Sequence, residues 1–119
     1  MRIAAISDIH GNLDALDAVL DDIARAGVDI TVNLGDILSG PLEVARTADR
    51  LMALKLPTIR GNHERQVLSL PRERMGASDA VAAAEITPAQ RDWLAALPPT
   101  MAPAEGLLCV HGTPGSDLQ

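Results

Sequence analysis

The chain has 119 residues, a net charge of -6 and a single aromatic residue, Trp93. The acidic balance and the scarcity of aromatic side chains argue against a nucleic-acid partner, which needs a basic face and stacking platforms. Hydrophobic residues make up 47% of the chain, enough for one domain with a buried core, and no apolar run approaches the length of a membrane span.

The lone cysteine and the N-terminal segment indicate a compartment. Cys109 cannot form a disulfide within the chain, so a reducing environment is expected. The segment MRIAAISDIHG has one basic residue and an apolar run too short for a signal peptide. We therefore expect a cytoplasmic protein in which Cys109 is a small buried hydrophobe.

The first half of the sequence alternates short apolar runs with helical periodicity. The runs predict three buried parallel strands, at residues 2–6, 29–34 and 57–60. A helix capped by Asn12 and stopped by Gly27 separates the first two strands, and a helix opened by Pro41 precedes the third. The inward positions are expected to be Leu13, Leu16, Val19, Leu20 and Ile23 in the first helix, and Leu42, Ala45, Ala48, Leu51 and Met52 in the second. This β-α-β-α-β order implies a parallel sheet in an α/β fold.

The second half gives weaker signals. Residues 65–86 favour a helix or a lid, interrupted at Pro71 and Gly76. Thr87-Pro88-Ala89-Gln90 is a capping box with proline at the first helical position, which predicts a helix to about Leu97. Two strands joined by a turn around Glu105-Gly106 are predicted at residues 100–104 and 106–111.

Four segments that carry metal-ligand side chains each follow a predicted strand. They are Asp8-Ile9-His10-Gly11-Asn12, Gly35-Asp36, Gly61-Asn62-His63-Glu64 and His111-Gly112. Ligands bind at the carboxyl ends of strands in an open α/β sheet, so these segments are expected to meet. Carboxylate, imidazole and carboxamide donors suit Mn, Fe, Co, Ni or Zn.

The residue types suggest how the donors are divided. Asp8 and His10 can bind one ion, and the two carboxylate oxygens of Asp36 can bridge two divalent ions. Asn62 and His111 are neutral ligands, although a strand-end histidine such as His111 can also simply pack and donate one hydrogen bond. His63 lies next to a ligand without being needed as one, so it is placed to protonate a leaving oxygen.

The ordered motifs D-x-H, G-D, G-N-H-E and a strand-terminal H-G resemble those of the calcineurin-like metallophosphoesterases, over residues 6–112. SDIHGN and GDILSGP are similar to the small prokaryotic phosphodiesterase-like branch. The resemblance implies the N-terminal part of a four-layer α/β/β/α sandwich, with one incomplete domain over residues 1–119. It also implies hydrolysis of a small phosphomonoester or phosphodiester, with metal-bound hydroxide as nucleophile and His63 as general acid.

Two features depart from the family pattern. Protein Ser/Thr phosphatases continue the second motif as G-D-x-V-D-R-G, whereas residues 35–40 read GDILSG, so the acidic partner of the catalytic histidine and a phosphate-binding arginine are missing. The G-H-x-H motif that closes the metal site is also missing, which leaves each ion one imidazole short. We therefore expect Gln119 to be a truncation point inside a domain, and the 119-residue form to self-associate as a homo-oligomer or aggregate.

Several polar residues near the motifs have more ordinary interpretations. Asn12 is expected to cap a helix and, in addition, to contact substrate phosphate. Arg65 is expected either to grip that phosphate or to be a solvated surface arginine. Glu64 is expected to pair with a nearby arginine, and Trp93 to pack in the core or an interface.

Two other functions remain open at this point. Some members of the superfamily are catalytically silent scaffolds that bind protein partners; the missing G-H-x-H motif favours this alternative, whereas His63 argues against it. A dinucleotide polyphosphate hydrolase would carry the same motifs. Metal content and hydrolysis of an aryl phosphodiester would separate the scaffold from the enzymes.

Overall fold

The computed structural model describes residues 1–118. Residue 119, where the sequence analysis expects a truncation point, lies outside the described residues. The strands are β1 (Ile3–Ile6), β2 (Ile30–Asn33), β3 (Thr100–Ala104) and β4 (Leu107–Val110). The helices are α1 (Leu13–Ala26), α2 (Val44–Leu54), α3 (Asn62–Ser69), α4 (Ala77–Glu85) and α5 (Pro88–Ala96), with a short 3-10 helix at Arg72–Arg74.

The first sheet is parallel, as predicted. β1 pairs with β2 in the register that places Ile3 opposite Ile30 and Ile6 opposite Asn33. The third predicted strand is reduced to a single parallel bridge between Asn33 and Thr58. Pro57 has no N–H to donate, and the N–H of Arg60 donates to the Pro98 carbonyl at 2.8 Å, so the ladder does not extend.

Helix α1 has the predicted ends. The Asn12 side chain accepts a hydrogen bond from the Ala15 N–H at 3.1 Å, and Gly27 ends the helix in the left-handed conformation with φ 67°. Leu13 and Leu16 are buried, but Val19 is 45% exposed, so its predicted inward position is wrong. Val19 lies at the edge of the stripe that faces the core, where a helix side chain is only partly covered.

Helix α2 begins later than predicted. It starts at Val44 rather than at Pro41, and Leu42 is 55% exposed instead of inward. The preceding loop packs against the loop after β1: the Glu43 N–H donates to the Gly11 carbonyl at 3.0 Å. A Cβ atom on Gly40 would lie 2.1 Å from the His10 carbonyl oxygen, so this contact requires glycine and holds the loop out of helical geometry.

The second half follows the predicted order. The interrupted segment 65–86 is helical, with breaks where Pro71 and Gly76 precede a 3-10 helix and α4. The capping box that opens α5 is present, with the Thr87 side chain accepting from the Gln90 N–H at 3.1 Å. β3 and β4 form an antiparallel hairpin with an irregular register between Met101 and Ala104.

Most of the core lies between the helices and the first sheet. Ile37, Val44, Ala48 and Leu94 are among its fully buried members, and Trp93 packs against them. A smaller cluster joins Val32 and Ile59 to Cys109, where burial raises the pKa of the thiol. The prediction that Cys109 is a buried hydrophobe is therefore confirmed. Among residues 1–118, no helix has the length and apolar character needed to cross a membrane.

Candidate metal centre

The four motif segments meet in the structure. Asp8 and His10 follow β1, Asp36 follows β2, and Asn62 and His63 open α3 just after the Thr58 bridge. His111 directly follows β4, in the second sheet, and still reaches Asp36 and Asn62. The structure thus brings together the predicted ligands Asp8, His10, Asp36, Asn62 and His111, and the predicted proton donor His63. Their roles stay predictions.

Three contacts connect the predicted ligands. The Nε2 atom of His111 lies 3.3 Å from Asp36 Oδ2 and 3.1 Å from Asn62 Oδ1. The Nε2 atom of His10 lies 3.5 Å from Asp8 Oδ1. Asp36 is buried, whereas Asp8 and His10 are partly open to solvent. The donors therefore form one cluster with a buried carboxylate and an accessible rim.

Three donors in this cluster fit a divalent cation directly. One ligand atom each from His10, Asp36 and His63 lies within 4.8 Å of the others. Imidazole and carboxylate are donor types that divalent transition metals bind in proteins, so the residues present fit the metal that the motifs predict. The inclusion of His63 is a new observation, since the sequence analysis assigns it to proton transfer.

The backbone at the cluster is strained where the ligands lie. Asp8, His10 and Asp36 have φ values of 56°, 50° and 57°, in the left-handed region that non-glycine residues rarely adopt. Such conformations cost about 1–3 kcal/mol each and concentrate at functional sites. Lys55 is the other non-glycine residue with positive φ in the described part of the chain, and it ends α2. Three of the four strained residues are therefore predicted metal ligands.

Two histidines are oriented by backbone carbonyls. His10 Nδ1 lies 2.8 Å from the Ser39 carbonyl oxygen, and His111 Nδ1 lies 2.7 Å from that of Leu34. A carbonyl oxygen can only accept, so each Nδ1 carries a proton, and Nε2 is the ring nitrogen that faces the donor cluster. A hydrogen bond of this kind is the usual support for a metal-binding histidine.

Glu64 does not pair with an arginine, so that prediction is wrong. Its buried carboxylate accepts hydrogen bonds from the backbone N–H groups of Asp36 (2.7 Å), Ile37 (3.1 Å) and Gly61 (3.1 Å). Burial raises its pKa, and these hydrogen bonds oppose the rise. Two backbone donors in the turn at Asp36 and Ile37, and a third at the N-cap of α3, attract the carboxylate more strongly than a solvated arginine does.

His63 has an acidic partner that the sequence analysis missed. Its Nδ1 atom lies 2.7 Å from Oδ1 of Asp79, a buried residue in the first turn of α4. Burial alone would lower the pKa of His63, but the Asp79 hydrogen bond and the charge of Asp36 raise it above the ordinary value. In the sequence, Asp79 is marked only as an aspartate three residues after Gly76. No local pattern shows that this segment lies close to His63.

Asp8 is held in its ionised form. The hydroxyl of Ser7 donates to Asp8 Oδ2, and this bond is the main reason that the pKa of Asp8 is lowered. Burial opposes this effect and raises the pKa, and the charges of His111 and His10 lower it further. A carboxylate that stays ionised is ready to bind a cation without first losing a proton.

The two predicted substrate contacts are positioned differently. Arg65 makes a bidentate ion pair with Asp117, with Nε 2.6 Å and Nη2 3.1 Å from the carboxylate oxygens. It also lines a groove of about 480 Å³ that reaches His111. Asn12 caps α1 and lines a separate groove beside Asp8. Contact of either residue with substrate stays a prediction.

The family model described as calcineurin-like phosphoesterase matches residues 1–118. The chain belongs to the calcineurin-like phosphoesterase family. Members of this family use divalent metal ions, in agreement with the donor cluster.

This calcineurin-like phosphoesterase chain is similar in sequence to two curated proteins. It is 41% identical over 66 residues to the uncharacterized protein MJ0912 of Methanocaldococcus jannaschii, covering 56% of the chain and 27% of that protein. It is 38% identical over 77 residues to the phosphodiesterase YfcE of Escherichia coli K12, covering 56% of the chain and 42% of that protein. The chain therefore matches less than half the length of either relative.

Solved structures confirm the fold of the calcineurin-like phosphoesterase chain. A metallophosphoesterase from Sphaerobacter thermophilus superposes with a TM-score of 0.80 at 29% identity, covering 98% of the chain and 49% of that structure. A protein provisionally named a diadenosine tetraphosphatase superposes with a TM-score of 0.76 at 27% identity, covering 94% of the chain and 50% of that structure. The chain has the N-terminal part of the metallophosphoesterase fold, about half of these structures.

Proposed function

We propose that the chain holds two divalent metal ions and hydrolyses a small phosphomonoester or phosphodiester. The observation that carries this proposal is the meeting of Asp8, His10, Asp36, Asn62 and His111 at one cluster, with three of them in strained left-handed backbone. A fold keeps such strain where a function requires the geometry. The family match and the similarity to the phosphodiesterase YfcE support phosphate ester hydrolysis in general.

The donor set suggests how the residues share the two ions. Asp8 and His10 lie together and suit one ion, whereas Asn62 and His111 lie together and suit the second. Asp36 is the residue to share, because its carboxylate contacts His111 on one side and lies near His10 on the other. When bound, divalent ions lower the pKa of water and stabilise negative charge on phosphate oxygens.

His63 is proposed to act as the general acid. It lies in the donor cluster with His10 and Asp36, its ring centroid is 5.3 Å from that of His10, and its pKa is raised. A raised pKa keeps the imidazolium form, which can protonate the leaving oxygen, populated toward neutral pH. The same position would also allow metal binding, so the role of His63 needs its own test.

The substrate is proposed to be small and phosphorylated, in a cytoplasmic setting. The positive charge of two divalent ions exceeds the negative charge of the Asp8 and Asp36 carboxylates, so the site would stay positive. This holds although the chain as a whole carries a net charge of -6. The acidic chain offers no electrostatic footprint for a long nucleic acid. A small anionic ester fits both facts.

The test begins with metal-free protein. The 119-residue chain would be purified with a chelator, dialysed against Mn²⁺ or Zn²⁺, and assayed for metal stoichiometry and for hydrolysis of bis(4-nitrophenyl) phosphate and 4-nitrophenyl phosphate. Asp36→Asn should lose metal and activity together, whereas Asp92→Asn, an exposed aspartate on α5, should behave like the parent chain. Metal binding without hydrolysis would favour a silent scaffold, and failure to bind metal would refute the proposal.

A dinucleotide polyphosphate is the second candidate substrate. The observation that favours it is the structural similarity to the protein provisionally named a diadenosine tetraphosphatase. Hydrolysis of diadenosine tetraphosphate by the metal-loaded chain would be followed by chromatography, alongside the aryl diester. A higher kcat/KM for the dinucleotide would select this candidate, and its resistance to hydrolysis would remove it.

A further inference from the structure

A buried carboxylate lies behind His63. Asp79 is 3% exposed, and its Oδ1 atom lies 2.7 Å from His63 Nδ1. Burying an ionised carboxylate is costly unless it has a charged or hydrogen-bonding partner. The position of Asp79 therefore depends on His63, and the contact spans 16 residues and two helices.

We propose that Asp79 is the positioning residue for His63, and that α4 thereby supplies the acidic partner that the GDILSG segment lacks. This inference rests on the proposed function, because it assumes that His63 donates a proton during phosphate ester hydrolysis. In this role Asp79 would touch neither substrate nor metal. It acts only through the imidazole ring.

The local structure explains why α4 can deliver this carboxylate. Gly76 is the N-cap of α4, and Asp79 is the acidic residue of the first turn. The free N–H groups and the dipole at a helix N-terminus stabilise a negative charge there. Helix α4 packs mainly against α3, which carries His63. The fold thus brings a stabilised carboxylate to the rear of the ring.

The hydrogen bond fixes both the proton and the orientation of the ring. A carboxylate only accepts, so Nδ1 carries a proton and Nε2 is the ring nitrogen left for the substrate. As the oxygen of the attacking water forms its bond to phosphorus, the P–O bond to the leaving group breaks and the proton on Nε2 passes to the leaving oxygen. Asp79 keeps its charge throughout and stabilises the imidazolium before that transfer.

Leaving groups of different basicity provide the kinetic test. With the metal-loaded chain, Asp79→Asn should lower kcat on diphenyl phosphate about tenfold or more, with little change in KM, because a poor leaving group needs the proton. The effect on bis(4-nitrophenyl) phosphate should be less than about twofold, because 4-nitrophenolate leaves unprotonated. Asp22→Asn, an exposed aspartate on α1, is the matched control and should change neither rate.

A second readout does not need activity or metal. The chain has three histidines, so two-bond ¹H–¹⁵N correlation spectra can resolve the tautomer of each ring. His63 should be protonated at Nδ1 in the parent chain and in Asp79→Asn, whose amide oxygen still accepts. Asp79→Ala should lose this preference for the proton on Nδ1. If Asp79→Ala proves unstable, Asp79→Glu is the second variant, and its carboxylate should restore the preference.

The outcomes distinguish failure of the proposed function from failure of the proposed role of Asp79. An inactive parent chain whose His63 tautomer still depends on residue 79 would refute the proposed function while keeping the structural contact. A tautomer unchanged in Asp79→Ala would overturn the inference, as would an equal loss of rate on both diesters. Loss of bound metal in Asp79→Asn would also overturn it, because His63 would then be a ligand rather than the acid.

Discussion

The carboxylate of Glu64 accepts a hydrogen bond from the backbone N–H of Asp36 at 2.7 Å, although 28 positions separate the two residues. The same carboxylate accepts from Ile37 and Gly61. Helix α3 is thereby fixed to the loop that carries Asp36 into the donor cluster. Glu64 holds the Asp36 backbone in place through these hydrogen bonds, although it is not one of the predicted metal ligands.

Replacing this carboxylate should weaken both the fold and the site. Glu64→Ala leaves three backbone N–H groups without an acceptor, and each buried unsatisfied donor costs about 1–3 kcal/mol. Urea unfolding should show a clear loss of stability, and metal affinity should fall with it. Glu105→Ala, in the exposed turn between β3 and β4, should leave both unchanged. Parent-like stability of Glu64→Ala would show that the carboxylate is dispensable.

The close approach of Gly61 to Asp36 gives a second prediction. A Cβ atom at Gly61 would lie 2.4 Å from Asp36 Oδ1 and 2.6 Å from the Asp36 backbone nitrogen, so one of the two segments must move. Gly61→Ala should therefore reduce metal stoichiometry, measured by mass spectrometry of the dialysed protein. Gly115→Ala has open space around the new methyl group and is the control. Full metal content in Gly61→Ala would contradict the close packing.

The role of His63 can be separated from metal binding. His63→Ala should lower turnover by about 10²–10⁴-fold, the usual contribution of a general acid. Its metal content should equal that of the parent chain. His10→Ala, the matched histidine substitution at a predicted ligand, should instead lose metal. If His63→Ala also loses metal, the cluster of His10, Asp36 and His63 is a ligand set.

Activity should require added divalent metal. The single cysteine, Cys109, is buried with Val32 and Ile59, and one cysteine cannot form the set of thiolates that would hold zinc at the affinity of a structural site. Exhaustive chelation should abolish hydrolysis, and readdition of Mn²⁺, Co²⁺ or Zn²⁺ should restore it. Undiminished hydrolysis by protein that contains no measurable metal would rule out the mechanism.

The ion pair between Arg65 and Asp117 should make stability depend on pH. The hydrogen bond from Arg65 lowers the pKa of Asp117 below its ordinary 3.8, so folding favours the ionised form. The pair is fully stabilising above the ordinary pKa, and its contribution is lost as pH falls through the lowered value. The effect should be at most about 1 kcal/mol, because the pair is partly exposed and screened.

This prediction is tested by comparing urea unfolding of the parent chain and Asp117→Asn at pH 7 and near pH 2.5. The difference between them should be present at pH 7 and should shrink at the acidic pH. Asp14→Asn, an exposed aspartate on α1, corrects for the general loss of charge. A stability difference that does not change with pH would show that the ion pair is not its source.

Sequence patterns were sufficient where a local rule determines the structure. Asn12 and Gly27 limit α1, and the capping box at Thr87 opens α5, because capping depends on residues a few positions apart. The meeting of the segments that carry Asp8, Asp36 and Asn62 was also predictable, since the carboxyl ends of parallel strands share an edge. That rule does not account for His111, which follows β4 of the antiparallel hairpin and still reaches Asp36 and Asn62. The identity of the family followed from the order of those motifs.

Local patterns failed where distant contacts decide. Pro41 is a good helix start, yet contacts between the Gly40 region and the His10 loop delay α2 until Val44. Two of the three partners of Glu64, and the partners of Arg65 and His63, come from other loops or helices, so no nearby residue indicated them. The strained φ angles at the predicted ligands are likewise a product of tertiary packing.

The residues of the donor cluster are spread along the sequence from Asp8 to His111, so the unfolded chain has no comparable site. Metal ions should therefore bind the folded form almost exclusively and shift the folding equilibrium toward it by mass action. For a single saturating site, each tenfold rise in free metal adds about 1.4 kcal/mol to the free energy of unfolding. Metal supply would then set the rate at which proteases remove this protein, independently of any reaction it catalyses.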